Sequence, residues 1–101
     1  MANATAIDLN STVVASKQQT SSEISGEVVI LDLQRGVYHG LNQTGARIWQ
    51  MIQKSCKVAS IRDTLLREYH VDALQCEQHL LALLEELASK GLLEVRPAAV
   101  G

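Results

Sequence analysis

The hydrophobic pattern of this chain changes its period once, at Asn42, and that change constrains the fold more than any other feature of the sequence. Before Asn42 the apolar residues come in short β-branched runs. Val13 to Ser16 reads as a short strand, Glu27 to Leu33 (E-V-V-I-L-D-L) as a longer one, and Val37 to Leu41 as its hairpin partner. Gln34-Arg35-Gly36 makes the tight turn between the last two, with Gly36 free to take positive φ. The polar run from Gln18 to Ser25 reads as a loop ended by Gly26. The front of the chain is thus expected to be a small meander of three short strands. Residues 1–11 are small and polar with no period, and read as a flexible lead.

After Asn42 the spacing is helical. Asn42 itself is a good N-cap, and Ala46, Ile48, Trp49, Met51 and Ile52 place a first helix over Gln43 to Lys54. Gly45 in its first turn costs about 1 kcal/mol in propensity relative to Ala, which predicts a close approach to a neighbouring strand. A second helix fits Val58 to Tyr69, with Ile61, Leu65 and Leu66 as its apolar stripe. Asp72 caps the third and longest, Ala73 to Lys90, whose core stripe is Cys76, Leu80, Leu83, Leu84 and Leu87. Gly91 suits the position after its last turn, and Leu92 to Val95 returns as a short strand before Pro97. Residues 97–101 read as a flexible tail behind one domain over 12–96.

The result is an α+β fold, a three-stranded antiparallel sheet followed by three helices, in the manner of a winged helix-turn-helix. A DNA reader of that shape would place basic side chains on its third helix. Here that helix carries Asp72, Glu77, Glu85 and Glu86 against Lys90 alone, and the net charge is −2, so no nucleic-acid partner is expected. The longest apolar run, Leu80 to Leu84, is far shorter than the roughly 20 residues a membrane span needs. The N-terminus has neither the basic start nor the apolar run of a secretory signal. A cytoplasmic protein with no membrane partner is the expectation.

Nor do the polar residues converge on a reaction. His39, His70 and His79 fall in a strand, a connector and a helix, and offer no His-x-x-x-His pair for zinc. Cys56 and Cys76 fit no C-x-x-C pattern and read as reduced thiols. His79 stands three residues after Cys76, but no orienting group or oxyanion hole accompanies the pair. Gly36, Gly40 and Gly45 have neither spacing of a phosphate loop. No catalytic residue, metal or cofactor is expected. What remains is a sheet edge beside a helix. An edge strand at Val37 to Leu41 has unpaired N–H and C=O groups on which a peptide can add as a further strand. From these residues alone, an edge covered by a terminus is an equal alternative.

The stretch G-V-Y-H-G-L-N-Q-T-G-A-R-I-W, Gly36 to Trp49, resembles the PqqD-like family through Tyr38, Leu41, Asn42, Gly45, Ile48 and Trp49. Downstream, R-E-Y-H-V-D, a leucine-rich helix and K-G-L-L resemble the same family's ending, so the likeness covers Thr12 to Val95. His39, where an aromatic is common, and the polar run Gln18 to Ser25 depart from the pattern. The resemblance implies a RiPP recognition element, a non-catalytic domain that binds the leader of a ribosomally made precursor peptide. The leader adds to the sheet edge against the third helix, and the domain delivers it to a modifying enzyme. A free-standing chain of this kind is most similar to the proteins of lasso-peptide clusters, whose partner is a separate leader peptidase. The alternatives are a recognition protein of pyrroloquinoline quinone biosynthesis and a winged-helix regulator. The expected peptide-binding residues are the strand positions Val37, Tyr38, His39, Gly40 and Leu41, and the helix stripe Leu74, Gln78, Leu81 and Glu85, which lies off the core stripe. The side chains of Tyr38 and Trp49 are assigned to core packing.

Overall fold

A computed structural model describes residues 7–17 and 19–96. In chain order the elements are β1 (Thr12–Ala15), β2 (Gln19–Ile24), β3 (Glu27–Asp32), β4 (Val37–Leu41), α1 (Gln43–Met51), β5 (Cys56–Lys57), α2 (Val58–Glu68), α3 (Ala73–Ser89) and β6 (Leu93–Arg96). The fold is α+β, as the change of period requires, but the strands form two antiparallel sheets. One runs β2–β3–β4 and the other β5–β1–β6.

The expected meander is therefore corrected at its first strand. The segment taken for a loop, Gln18 to Ser25, contains β2, which pairs along all of β3, from Gln19 opposite Asp32 to Ile24 opposite Glu27. The two strands join through Ser25 (φ 54°) and Gly26 (φ 82°), a two-residue turn with both central residues left-handed, as the right-handed twist of a hairpin demands. Strand β2 lies at the sheet's edge and meets α1 through polar contacts. Trp49 Nε1 donates to Ser21 Oγ at 3.2 Å and Gln50 Nε2 to Glu23 Oε1 at 3.2 Å. It has no need of an apolar face, so it carries no hydrophobic alternation. Strand β1 instead pairs with β6, Val13 opposite Val95, and with the two-residue β5 that the sequence reading did not contain.

Part of the segment expected to be a flexible lead is packed. Ile7 is buried, Val58 N–H donates to the Ser11 carbonyl at 3.0 Å, and Ala59 N–H to that of Leu9 at 3.1 Å. Residues 7–11 thus pack against the start of α2. The rest of the expected lead, residues 1–6, and the tail, 97–101, lie outside the described residues.

The helix termini follow their capping chemistry. Asn42 Oδ1 accepts from Gly45 N–H at 2.9 Å, and Asp72 Oδ2 from Gln75 N–H at 2.9 Å. At the end of α3 Gly91 (φ 75°) lets its own N–H donate to the Ala88 carbonyl and that of Leu92 to the Leu87 carbonyl, the double closure of a Schellman motif. Gly45 makes the predicted close approach: a Cβ there would stand 3.2 Å from the Cβ of Leu41, the last residue of β4. This contact seats the first turn of α1 directly against the end of β4.

One core joins the layers. Ile30 of β3, Ile61 of α2, and Leu80 and Leu84 of α3 are fully buried, together with Val13, Ile52, Val58 and Leu92. Each such side chain contributes about 1.5–3 kcal/mol on burial. Trp49 is buried, as assigned. Tyr38 is not: it is 70% exposed, because it pairs with Leu31 on the sheet face away from α1. A bidentate pair, Arg47 Nε and Nη2 to the two Glu68 oxygens at 2.9 and 2.8 Å, ties α1 to the end of α2.

Candidate functional site

Among the described residues β4 is an edge strand, since it pairs with β3 on one side and with no strand on the other. Its five residues arise from a turn that Asp32 organises. Asp32 Oδ1 accepts from the N–H groups of Gln34 and Arg35 at 3.1 and 3.2 Å, and Gly36 (φ 68°) returns the chain by donating to the Asp32 carbonyl at 2.8 Å. Alternate backbone groups of β4 bond to β3, and the others point away from the sheet.

Beside this edge is a groove of about 510 Å³. His39, Gly40 and Leu41 form its strand wall, and Asn42, Thr44, Gly45 and Ile48 continue that wall into α1. Leu65, Tyr69 and Val71 close one end. The helix wall is α3, through Cys76, His79, Leu80, Leu83, Glu86, Leu87 and Lys90. The floor is aliphatic, with Ile48, Leu65, Leu80 and Leu87 buried.

One rim is charged. Lys90 Nζ lies 2.8 Å from Glu86 Oε2. The hydrogen bond from Lys90, then its charge, holds the Glu86 carboxyl below the usual range, and His39 across the groove adds a smaller pull in the same direction. Behind this rim sits an unusual pair. His39 Nε2 and Asp32 Oδ2 are both buried, stand 4.0 Å apart, and have no hydrogen-bond partner among the described residues. The Cys76 thiol at the opposite end is pushed up, chiefly by burial, which suppresses the thiolate. Among the described residues no cluster of three or more His, Cys, Asp or Glu could hold a metal ion, and no helix is long and apolar enough to cross a membrane.

The structure gathers only part of the expected set at this groove. His39, Gly40 and Leu41 line it; Val37 and Tyr38 belong to the same edge strand but stand outside the lining. On α3 the expected stripe of Leu74, Gln78, Leu81 and Glu85 is absent from the groove wall. Leu74 is 62% exposed, Gln78 and Glu85 are exposed, and Leu81 is half-buried against the core. The groove takes the other flank of the helix, His79, Leu83, Glu86 and Lys90, at spacings of four, three and four residues. Both flanks border the core stripe, and which one faces β4 depends on where the sheet packs. The i, i+4, i+7, i+11 spacing of the second flank was the available signal.

The family described as coenzyme PQQ synthesis protein D (PqqD) matches residues 27–93, from the start of β3 to the start of β6. No curated protein matches the chain in sequence. Among solved structures, TbiB1 in complex with the TbiA(beta) leader peptide is 40% identical and superposes with a TM-score of 0.75, covering 80% of this chain and 94% of that one. A lasso peptide synthetase B1 complexed with the leader peptide is 26% identical, with a TM-score of 0.73, over 81% of this chain and 96% of that one. With its central hairpin and all three helices inside the matched span, the chain belongs to the PqqD family.

Proposed function

We propose that the chain is a non-catalytic carrier that binds the leader segment of a ribosomally made precursor peptide. The leader adds to β4 as a fourth strand of the β2–β3–β4 sheet and sends alternate side chains into the groove against α3. The observation that carries this reading is an edge strand with one side free among the described residues, running along an aliphatic groove, in a chain 40% identical to a protein solved with a leader peptide bound. Main-chain bonds supply affinity on such an edge and the groove supplies selectivity. The binding residues are Val37 to Leu41 through their backbone, and His79, Leu83 and Glu86 through their side chains.

The recipient of the carried precursor is a separate modifying enzyme, the leader peptidase of a lasso-peptide pathway. The family's description points instead to pyrroloquinoline quinone synthesis, but both solved relatives are lasso-type or leader complexes, and the first shares two-fifths of its aligned residues. Calorimetric titration with a synthetic lasso leader tests the reading. A one-to-one complex is expected, with a pyrroloquinoline quinone precursor binding at least tenfold more weakly. Turnover of the precursor by this chain alone, or the reverse preference, overturns the corresponding part.

A further inference from the structure

A strand added to β4 places one of its side chains directly opposite His39, on the same face of the sheet. That face is the inner one: His39 pairs with Ile30 and Leu41 with Val28, and both partners are buried. An inward side chain two residues along the leader meets Leu41, where the groove is aliphatic. The end at His39 is different. The ring faces Glu86 and Lys90 of α3, and it adds to the forces that hold the Glu86 carboxyl below its usual range. Behind the ring stands Asp32, with 4% of its side chain exposed. Its Oδ1 is committed to the N–H groups of Gln34 and Arg35, which fixes the carboxylate and holds Oδ2 toward the ring. Oδ2 and His39 Nε2 are buried 4.0 Å apart, and neither has a hydrogen-bond partner among the described residues. A carboxylate on that side favours the proton on Nε2. Nδ1 is then the ring's acceptor, and it is the nitrogen not shut in against Asp32. On the helix side Lys90 Nζ, 2.8 Å from Glu86 Oε2, supplies a donor.

We propose that this end of the groove is a polar subsite for one carboxamide side chain of the leader, which donates to His39 Nδ1 and accepts from Lys90 Nζ. The inference rests on the leader-binding function above and deepens it. Asp32 is a positioning residue: it sets the tautomer of the ring and itself stays behind it. Charge selects the class of side chain. Two carboxylates, Asp32 and Glu86, balance two cations, Lys90 and an Arg35 whose Nε lies 3.9 Å from Asp32 Oδ2. A charged leader side chain would give up its hydration here for no net attraction. An aliphatic one would bury Nδ1 without a partner. A hydroxyl carries its donor and acceptor on one atom, whereas a carboxamide carries them on two and can bond to His39 and Lys90 together.

The test is calorimetric titration of the full chain with a panel of synthetic lasso leaders, in which each position in turn carries Asn, Gln, Thr, Leu, Glu or Lys. At one position Asn or Gln should bind about fivefold or more tighter than the others, the worth of a hydrogen bond that the others leave unmade. His39→Phe keeps a ring without its nitrogens, and should reduce the preference over Leu to about twofold or less. Asp32→Asn keeps an acceptor for the turn and puts an N–H beside Nε2, which moves the ring proton to Nδ1. The acceptor is then lost, and the Gln-to-Glu affinity ratio at that position should fall by about fivefold or more. A merely weakened hairpin would lower both affinities and leave their ratio alone. Circular dichroism checks the fold. Should the strand variants unfold, Lys90→Met at the end of α3 serves in their place, with the carboxamide preference cut about threefold or more. No carboxamide preference at any position, or one that His39→Phe leaves intact, overturns the subsite. A Gln-to-Glu ratio unmoved by Asp32→Asn overturns the role of Asp32. A chain that binds none of the leaders removes the underlying function; one that binds them without discriminating at any position removes only the subsite.

Discussion

The edge strand offers the sharpest test, because proline deletes a backbone donor without introducing charge. His39 and Gly40 are consecutive on β4, paired with Ile30 and Val29, so one N–H points to β3 and the other away from the sheet. Proline at the outward residue removes one bond to the leader. That bond is worth about 0.5–1.5 kcal/mol net, roughly two- to thirteenfold in affinity. The pyrrolidine ring also occupies the space a leader carbonyl would enter, so the loss should exceed about tenfold. Proline at the inward residue leaves a carbonyl of β3 unpaired and should lower stability by about 1–3 kcal/mol instead. Gly40→Ala is the control. An added Cβ there has no heavy atom within 4 Å, and the N–H is retained, so affinity should change less than twofold. The assay is leader titration by calorimetry beside urea denaturation for all three variants. If both proline variants stay folded and bind as the unsubstituted chain does, the leader does not pair with β4, and the geometric reasoning is wrong.

Four further outcomes follow from particular contacts. Leu83→Lys should cut leader affinity at least tenfold with the fold intact, whereas Leu74→Lys, on the opposite flank of α3, should leave it unchanged; equal losses in fluorescence titration would refute the assignment of flanks. Asn42→Ala removes the cap to Gly45 N–H and should cost about 1 kcal/mol, read from the urea midpoint. His39→Ala should destabilise the hairpin, since it leaves a void beside the buried Asp32 carboxylate; an unchanged melting temperature would contradict that. Glu68 is held below the ordinary carboxylate range, chiefly by its hydrogen bond from Arg47, so its contribution is present above the unfolded value and lost as pH falls through the lowered folded one. The stability difference between the unsubstituted chain and Glu68→Gln should therefore shrink on acidification below about pH 4, and a difference that persists there would exclude the pair as its source.

How much of this was legible beforehand depends on what each element had to bury. All three helices were, because their apolar stripes repeat at helical spacing and their caps are local: Asn42, Asp72 and Gly91 each act within a few residues of where they stand. The β3–β4 hairpin was legible for the same reason, its β-branched alternation closing on Gly36. Strand β2 was not. It is an edge strand whose inner face meets α1 through Ser21 and Glu23, so hydrophobic alternation has no work to do there. The only sequence mark was the Ser25-Gly26 turn. Strand β5 is two residues long and exists only because β1 lies beside it, a tertiary fact without a local pattern.

The site divides along the same line. His39, Gly40 and Leu41 were reachable because a strand edge is implied by the hairpin itself. The helix wall was not, because Leu81 on one flank of α3 and Leu83 on the other are equally apolar, and periodicity is silent about which of them a sheet will face. What separates them is tertiary: α3 packs on α2 and β6, while β4 runs straight into α1. Gly45 admits Leu41 to within 3.2 Å of where its Cβ would stand, and Arg47 clamps Glu68. These contacts join β4 to α1 and α1 to α2, and α2 packs on α3, so the flank that meets β4 is fixed through a chain of elements and by no residue of α3 alone.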